Sequence, residues 1–81
     1  MKLSHKVAEH ADELAALEQR VCGKPVRQAK ADALALVRYF EFYAGACDKL
    51  HGETLPYQNG DSVFTWREPH GVTGHVIPWN Y

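Results

Sequence analysis

Trp79 and Asn80 have the clearest chemical potential in this sequence, because they directly follow a short β-prone run. That run, residues 71–77, contains two glycines and ends at Pro78, which has no N–H group to give to a strand ladder. Open α/β sheets bind their ligands at the carboxyl ends of strands. An aromatic wall beside a neutral amide donor at such a position suits an active site. Residue types alone favour a simpler interpretation of Asn80, a turn asparagine.

Two cysteines, Cys22 and Cys47, offer a competing site as nucleophiles of a thiol enzyme. Cys22 lies beside Gly23 at a predicted helix end, and Cys47 lies on a predicted apolar stripe. Buried cysteine usually behaves as a small hydrophobic residue, so we expect neither thiol to do covalent catalysis. Two cysteines also do not make a disulfide framework. We therefore expect reduced thiols in a cytoplasmic protein.

The five histidines suggest a metal site only weakly. His5 and His10 are five residues apart, as are His70 and His75, and on a helix that spacing places two ligands on different faces. No cysteine or acid pair completes a set of four ligands. We therefore expect no metal. The remaining carboxylates are too scattered to predict an acid–base pair. The histidines and these carboxylates are His5, His10, His51, His70, His75, Glu41, Asp48 and Glu53.

Two amphipathic helices are expected to position the carboxyl-terminal residues. Residues 3–21 carry an apolar stripe at helical spacing, and Gly23 with Pro25 is typical of a helix end. A second helix, residues 33–50, should begin after Asp32 as its N-cap. The stripe of the first helix consists of Leu3, Val7, Ala11, Leu14, Leu17 and Val21. The second helix has a wide apolar face, formed by Leu34, Leu36, Val37, Phe40, Tyr43, Ala44, Cys47 and Leu50.

Two further clusters on or beside the second helix have alternative interpretations. Its aromatic residues favour core packing over a stack for a cofactor, and we expect structure outside this chain to cover part of them. Three cations in residues 24–31 favour a solvated connector over a phosphate site. The aromatic cluster is Tyr39, Phe40, Phe42 and Tyr43. The cationic cluster is Lys24, Arg27 and Lys30.

A β-hairpin at about residues 53–68 follows the helices. Asn59-Gly60 predicts a type I′ turn, because that turn needs positive φ at both central positions. A further strand is predicted at about residues 71–77. The whole chain of 81 residues forms one partial domain of α/β class. The formal net charge of -1 and the lack of a long apolar run predict neither nucleic acid nor membrane as a partner.

The order of several short motifs resembles the NAD(P)-dependent aldehyde dehydrogenase family. The carboxyl-terminal motif is Arg67-Glu-Pro-His-Gly-Val-Thr-Gly-His-Val-Ile-Pro-Trp-Asn80. Upstream, Glu13-Leu-Ala-Ala-Leu-Glu18 and Gly23-Lys-Pro25 match in the same order, as do Arg38-Tyr-Phe40, Tyr43-Ala-Gly45 and Asp48-Lys-Leu-His-Gly-Glu53. Each motif alone is weak. Together they span nearly the whole chain, which resembles an internal slice of a protein several times longer.

The resemblance implies a fold and a role for the predicted site. The fold is a slice of the NAD-binding and oligomerisation regions, with two helices, a β-hairpin and the first part of a further strand. Asn80 matches the catalytic residue whose side-chain N–H binds the oxyanion formed from the aldehyde substrate. Ile77, Pro78, Trp79 and Asn80 match residues that bind NAD or NADP. The 53–68 hairpin matches an element that joins a homo-oligomer.

The resemblance also implies what residues 1–81 lack. In the family, the nucleophilic cysteine, the general-base glutamate and the cofactor helix lie downstream of the position of Tyr81. We therefore expect an aldehyde dehydrogenase segment that is inactive alone. The alternative hypothesis is a non-catalytic, truncated helix–hairpin protein that self-associates through the exposed edge of the β-hairpin.

Overall fold

The computed structural model describes residues 1–81 and contains three helices and one small antiparallel sheet. The helices are α1 (Lys2–Glu9), α2 (Ala11–Cys22) and α3 (Val26–Ala46), and a 3₁₀ turn (Cys47–Lys49) extends the last of them. The strands are β1 (Thr54–Leu55) and β2 (Val63–Phe64). The predicted α/β class, with helices followed by a β-hairpin, is confirmed. No helix combines the length and apolar character needed to cross a membrane.

The predicted first helix, residues 3–21, is divided at His10. The backbone of His10 has φ -111° and ψ 15°, outside the α-helical region. Its N–H donates to the carbonyl of Val7 at 3.2 Å, a bond of the tighter 3₁₀ kind. The bend allows both α1 and α2 to contact α3. Gly23, with φ 70° in the left-handed region, ends α2 as predicted.

The second predicted helix begins seven residues earlier than expected, so the prediction for its start was wrong. Pro25 is the N-cap residue, and its carbonyl accepts the N–H of Ala29 at 3.0 Å. Residues 24–31 are therefore mostly the first turns of α3 and not a solvated connector. Asp32 lies inside the helix and is not its N-cap. Alanine-rich sequence after a proline favours this early start, because alanine has the highest helix propensity.

Small side chains form the core between the helices. Ala15 of α2 meets Ala29 and Ala33 of α3, and all three are buried. Ala11 and Leu14 pack against this cluster. Alanine at positions four apart on each helix lets the two helix axes approach closely. The core is narrow, since only 6 of 81 residues are buried.

Most of the aromatic residues of α3 have no core to pack into within residues 1–81, so the expectation that structure outside the chain covers part of them stays a prediction. Phe40 is half-buried. Tyr39, Phe42 and Tyr43 are 63%, 69% and 66% exposed, respectively, within this chain. Phe42 and Tyr43 instead contact each other edge to face, with ring centroids 5.2 Å apart. Cys47, predicted to lie on a buried stripe, is exposed as well.

The β-hairpin turns where the sequence predicts it. Asn59 and Gly60 have φ values of 64° and 77°, and the N–H of Asp61 donates to the carbonyl of Gln58 at 3.4 Å. Positive φ at both central positions is the signature of the type I′ turn. The paired ladder is short, with Thr54 opposite Phe64 and Leu55 opposite Val63.

The strand predicted at residues 71–77 is not present, because this segment has no partner strand in the chain. Its residues are exposed; Val72 and Val76 are 104% and 95% exposed. The radius of gyration is 19.1 Å, compared with roughly 12 Å for a compact domain of this length. The chain therefore positions its elements along an extended body, 61 Å in its longest dimension.

We predict that Gly52→Ala disrupts the β-hairpin. A Cβ atom at residue 52 would overlap the carbonyl oxygen of Thr65 and lie 3.0 Å from its carbonyl carbon. Cross-strand nuclear Overhauser effects between the Thr54 and Phe64 pair should weaken or vanish. Gly45→Ala is the matched control, because a Cβ there meets nothing within 4 Å. This control should keep the hairpin and raise helix content, since alanine is favoured over glycine in a helix by about 0.8–1.0 kcal/mol. Unchanged cross-strand effects in Gly52→Ala would contradict the prediction.

Candidate functional site

The carboxyl-terminal residues 77–81, here called the site segment, lie along the αα-hairpin formed by α2 and α3. Together they border an open apolar groove of about 550 Å³. The segment contributes Ile77, Pro78, Trp79 and Tyr81 to its lining. On the helical side the larger apolar and aromatic residues are Leu14, Leu17, Val21, Leu36 and Tyr39. The structure therefore brings three of the four residues predicted to bind the cofactor onto one surface.

Asn80, the residue predicted to be catalytic, does not line this groove. It is exposed, and it lies between two residues that both contact the αα-hairpin. On one side, the Cys22 thiol donates to the carbonyl oxygen of Trp79 at 3.4 Å. On the other side, the ammonium of Lys24 lies 4.3 Å from the ring centroid of Tyr81. The chain is thus held on both sides of Asn80, through the backbone of Trp79 and through the ring of Tyr81.

Lys24 forms the polar centre of the turn between α2 and α3. Its ammonium donates to Oε1 of Glu18 at 2.6 Å and to Oδ2 of Asp32 at 2.7 Å. The other oxygen of Asp32 accepts from Nε2 of Gln28 at 2.8 Å. The Lys24 side chain is only 6% exposed, whereas those of Glu18 and Asp32 are 31% and 22% exposed. A nearly buried cation is therefore matched by two partly solvated carboxylates.

These contacts shift the pKa values of the pair in opposite directions. Hydrogen bonds to Asp32 and then to Glu18 raise the pKa of the Lys24 ammonium above its ordinary value, and they outweigh the effect of desolvation. The hydrogen bond from Lys24, followed by that from Gln28, lowers the pKa of the Asp32 carboxyl. Both groups are therefore charged at neutral pH.

Sequence reasoning missed Lys24 and Tyr81 as parts of the site. Lys24 was assigned to a solvated connector, but it is buried and paired. Its partners Glu18 and Asp32 lie six residues before it and eight after it. Neither interval is a neighbour spacing on one helix, so only the crossing of α2 and α3 brings the three residues together. Acidic residues on both sides of a Gly-Lys-Pro turn are the signal available in the sequence.

The other candidate residues form no competing site. The Cys47 thiol donates to the carbonyl of Tyr43 at 3.2 Å, one helical turn earlier. His10 pairs with Glu13, and His75 contacts the Thr73 hydroxyl, each at 3.0 Å. No three side chains of His, Cys, Asp or Glu converge in a way that could hold a metal ion.

The groove fits only part of a dinucleotide. Its apolar walls suit the face of an aromatic ring. No lysine or arginine lines it, and its charged residues are the acids Glu18 and Asp32. Glu18 and Asp32 share the single cation Lys24, so the net charge at this position is negative and would repel a pyrophosphate. The residues present therefore fit a ring of NAD(P) and do not fit its phosphates.

Comparisons with known proteins identify the family. The sequence profile of the aldehyde dehydrogenase family matches residues 1–81. The mitochondrial benzaldehyde dehydrogenase of Antirrhinum majus is 44% identical over 82 residues, which cover 100% of this chain and 15% of that protein. Human retinal dehydrogenase 2 (Homo sapiens) is 41% identical over 81 residues, which cover 99% of this chain and 16% of that protein.

A solved structure agrees with the sequence relatives. A crystal structure of a Burkholderia cenocepacia protein, assigned as an aldehyde dehydrogenase, superimposes with a TM-score of 0.78 at 69% sequence identity. The match covers 95% of this chain and 16% of that chain. The chain belongs to the aldehyde dehydrogenase family, a family of oxidoreductases, and the resemblance of its motifs is confirmed. It spans 15% to 16% of the length of these relatives.

We predict that the stability of the αα-hairpin falls in acid through Asp32. Its pKa is lowered on folding, so its stabilising effect is present above the ordinary value of about 3.9 and is lost as pH falls through the folded pKa. The effect from Lys24 has the opposite sign: it is fully present below the ordinary pKa of about 10.4 and is lost only as pH rises through the raised folded pKa, so it does not contribute to the acid transition. Circular dichroism melts should therefore show a falling melting temperature between about pH 5 and pH 2.

The variant Asp32→Asn tests this assignment. It should melt at a lower temperature than the wild-type chain at neutral pH, and its acid dependence should be flatter. Glu9→Gln removes an exposed ion pair with Lys6 and should change the neutral melting temperature little. An acid transition in Asp32→Asn identical to that of wild type would show that Asp32 is not responsible.

Proposed function

We propose that this chain forms part of an aldehyde dehydrogenase that oxidises an aldehyde to a carboxylic acid with NAD or NADP. The observation that carries the proposal is the Pro78-Trp79-Asn80 segment, held on the αα-hairpin within a chain of this family. We propose a cytoplasmic location, because both cysteines of residues 1–81 are unpaired and the cytoplasm keeps thiols reduced.

In the proposed reaction, Asn80 supplies a hydrogen bond to developing charge. A cysteine thiolate outside residues 1–81 attacks the aldehyde carbonyl, and the carbonyl oxygen becomes an oxyanion. The side-chain N–H of Asn80 donates to that oxygen. A neutral donor fixed in advance stabilises charge that is present only in the transition state and the adduct, so it lowers the barrier without tightening substrate binding equally.

For the cofactor, we propose that the site segment supplies a wall and not a phosphate site. When bound, NAD or NADP accepts the hydride from the aldehyde carbon. Ile77, Pro78 and Trp79 would contact a ring of the cofactor, and Asn80 would lie beside it. Cations or backbone N–H groups outside residues 1–81 would hold the phosphates, since the groove itself offers only carboxylates as charged groups.

For assembly, we propose that the β-hairpin joins a homo-oligomer. Phe64 and Trp66 are 66% and 77% exposed on one side of β2, whereas Val63 and Thr65 on the other side are half-covered. Each strand of the two-stranded sheet also has an unpaired edge. An isolated two-stranded hairpin is marginally stable in water. Association with another sheet would pair the free strand edges and cover the exposed aromatic side chains.

The alternative function is a non-catalytic protein that self-associates. The exposed apolar side chains of α3 and of the β-hairpin favour it, because contiguous apolar surface usually marks an interaction site. The two functions differ in chemistry: a catalytic segment needs Asn80, whereas a self-associating module does not.

We predict that Asn80→Ala lowers kcat by about 10²–10³-fold, the usual effect of removing one oxyanion donor. The assay uses a chimera in which residues 1–81 replace the matched segment of the Burkholderia cenocepacia protein, which is 69% identical. Aldehyde oxidation is followed through formation of NADH or NADPH. The residue change should affect kcat more than KM for the aldehyde.

Gln19→Ala is the control for this assay, because Gln19 is an exposed amide on α2 outside the groove. It should leave kcat unchanged. The isolated 81-residue chain should show no turnover. Wild-type kcat in Asn80→Ala would contradict the proposed role, and turnover by the isolated chain would contradict the need for a nucleophile elsewhere.

We predict that Phe64→Ala and Trp66→Ala weaken self-association of the chimera, measured by sedimentation velocity over a range of concentrations. Both remove exposed aromatic area from the β-hairpin, and aromatic residues are typical anchors of interfaces. Phe42→Ala removes a ring of similar exposure, 69%, from α3. If this control weakens association and the two hairpin variants do not, the interface lies on α3 and the proposal for the β-hairpin is wrong.

A further inference from the structure

The site segment depends on the αα-hairpin for its position. The segment has no strand partner, and no hydrogen bond between backbone groups fixes residues 77–81. Its specific contacts are the Cys22 thiol on the Trp79 carbonyl and the Lys24 ammonium on the Tyr81 ring. Both contacts come from one short stretch, the end of α2 and the turn after it.

Lys24 is suited to holding this segment because its own position is fixed. Two of its three N–H donors are directed at the carboxylates of Glu18 and Asp32, at 2.6 Å and 2.7 Å. Gln28 in turn holds the second oxygen of Asp32. The ammonium therefore sits at one point, and its remaining side faces the Tyr81 ring.

The Lys24 ammonium is already paired with two carboxylates, and a neutral aromatic ring is a further contact that it can make favourably. A cation is attracted to the negative face of an aromatic ring when it lies within about 6 Å of the centroid, and here the distance is 4.3 Å. Tyr81 is otherwise 84% exposed, so this face is the main surface through which the αα-hairpin holds it. A third carboxylate in its place would add negative charge to a centre that already has two acids for one cation.

We propose that Lys24 is a positioning residue for the site segment, acting through the ring of Tyr81 to fix the backbone on which Asn80 stands. The inference rests on the proposed function only for the consequence in catalysis; the contact itself is a property of residues 1–81. Lys24 touches neither substrate nor cofactor in this role. It acts by limiting the freedom of the residue that follows Asn80.

The first test is spectroscopic and needs no activity. In the 81-residue chain, Nζ of Lys24 lies 4.3 Å from the centroid of the Tyr81 ring, so the neighbouring Hε protons should show an upfield shift from the ring current. Tyr81→Phe keeps the ring and should keep the shift. Tyr81→Leu removes the ring and should abolish it, while the ion pairs of Lys24 with Glu18 and Asp32 remain. A wild-type chain without the upfield shift would overturn the proposal.

The second test is kinetic and uses the chimera described above. Tyr81→Leu should lower kcat by roughly 10²-fold, the loss that a misplacement of about 1 Å produces, with less change in KM. Tyr81→Phe should lose less kcat than Tyr81→Leu, because it keeps the ring face that Lys24 contacts. Lys24→Met should lower kcat as well, because it removes the cation that contacts the Tyr81 ring. Helix content by circular dichroism, which Tyr81→Leu should not alter, separates loss of position from unfolding.

The outcomes separate this inference from the proposed function. Wild-type kcat in Tyr81→Leu, together with a large loss in Asn80→Ala, would overturn the positioning role and leave the function of Asn80 standing. Wild-type kcat in Asn80→Ala would instead contradict the proposed function, and the ring-current shift would then decide alone whether Lys24 holds the segment.

Discussion

The ion pairs of Lys24 are the interaction on which the arrangement of this chain depends. A lysine that is only 6% exposed has lost most of its hydration, which is costly unless the charge is paired and hydrogen-bonded. Glu18 on α2 and Asp32 on α3 both provide that pairing, so the cation joins the two helices across their turn. No buried side-chain polar atom is left without a partner. The turn, the crossing of the helices and the site segment therefore share one charged centre.

This polar centre matters because the apolar core is small. Alanine side chains bury little surface, and the core of α2 and α3 consists mainly of Ala15, Ala29 and Ala33. An 81-residue chain has little surface to bury even when compact, and this one is extended. Close helix contact thus comes from small residues, while orientation comes from the Lys24 pairs. The exposed rings of α3 and the β-hairpin contribute area for contacts and not stability within the chain.

Signals that act over a few residues were sufficient to predict much of the fold. The left-handed Gly23 ends α2, and Asn59-Gly60 sets the β-turn, because each depends on local backbone geometry. Features that depend on distant partners were not predictable in this way. Asp32 looks like an N-cap, but Lys24 in the turn and Gln28 on the same helix bind its carboxylate. Residues 71–77 have strand propensity, but a strand also needs a neighbour to pair with.

The site illustrates the same division between local pattern and long-range contact. A local motif was sufficient to select Asn80 as a candidate. The contacts around it join residues far apart in sequence, such as Cys22 and Trp79, which are 57 residues apart. A hydrogen-bond donor lowers a barrier to the extent that it is oriented before charge develops. An exposed asparagine in an extended segment does not meet this condition by itself. The residues on either side of Asn80, Trp79 and Tyr81, both contact the αα-hairpin. The orientation of Asn80 therefore depends on the αα-hairpin as well as on the site segment.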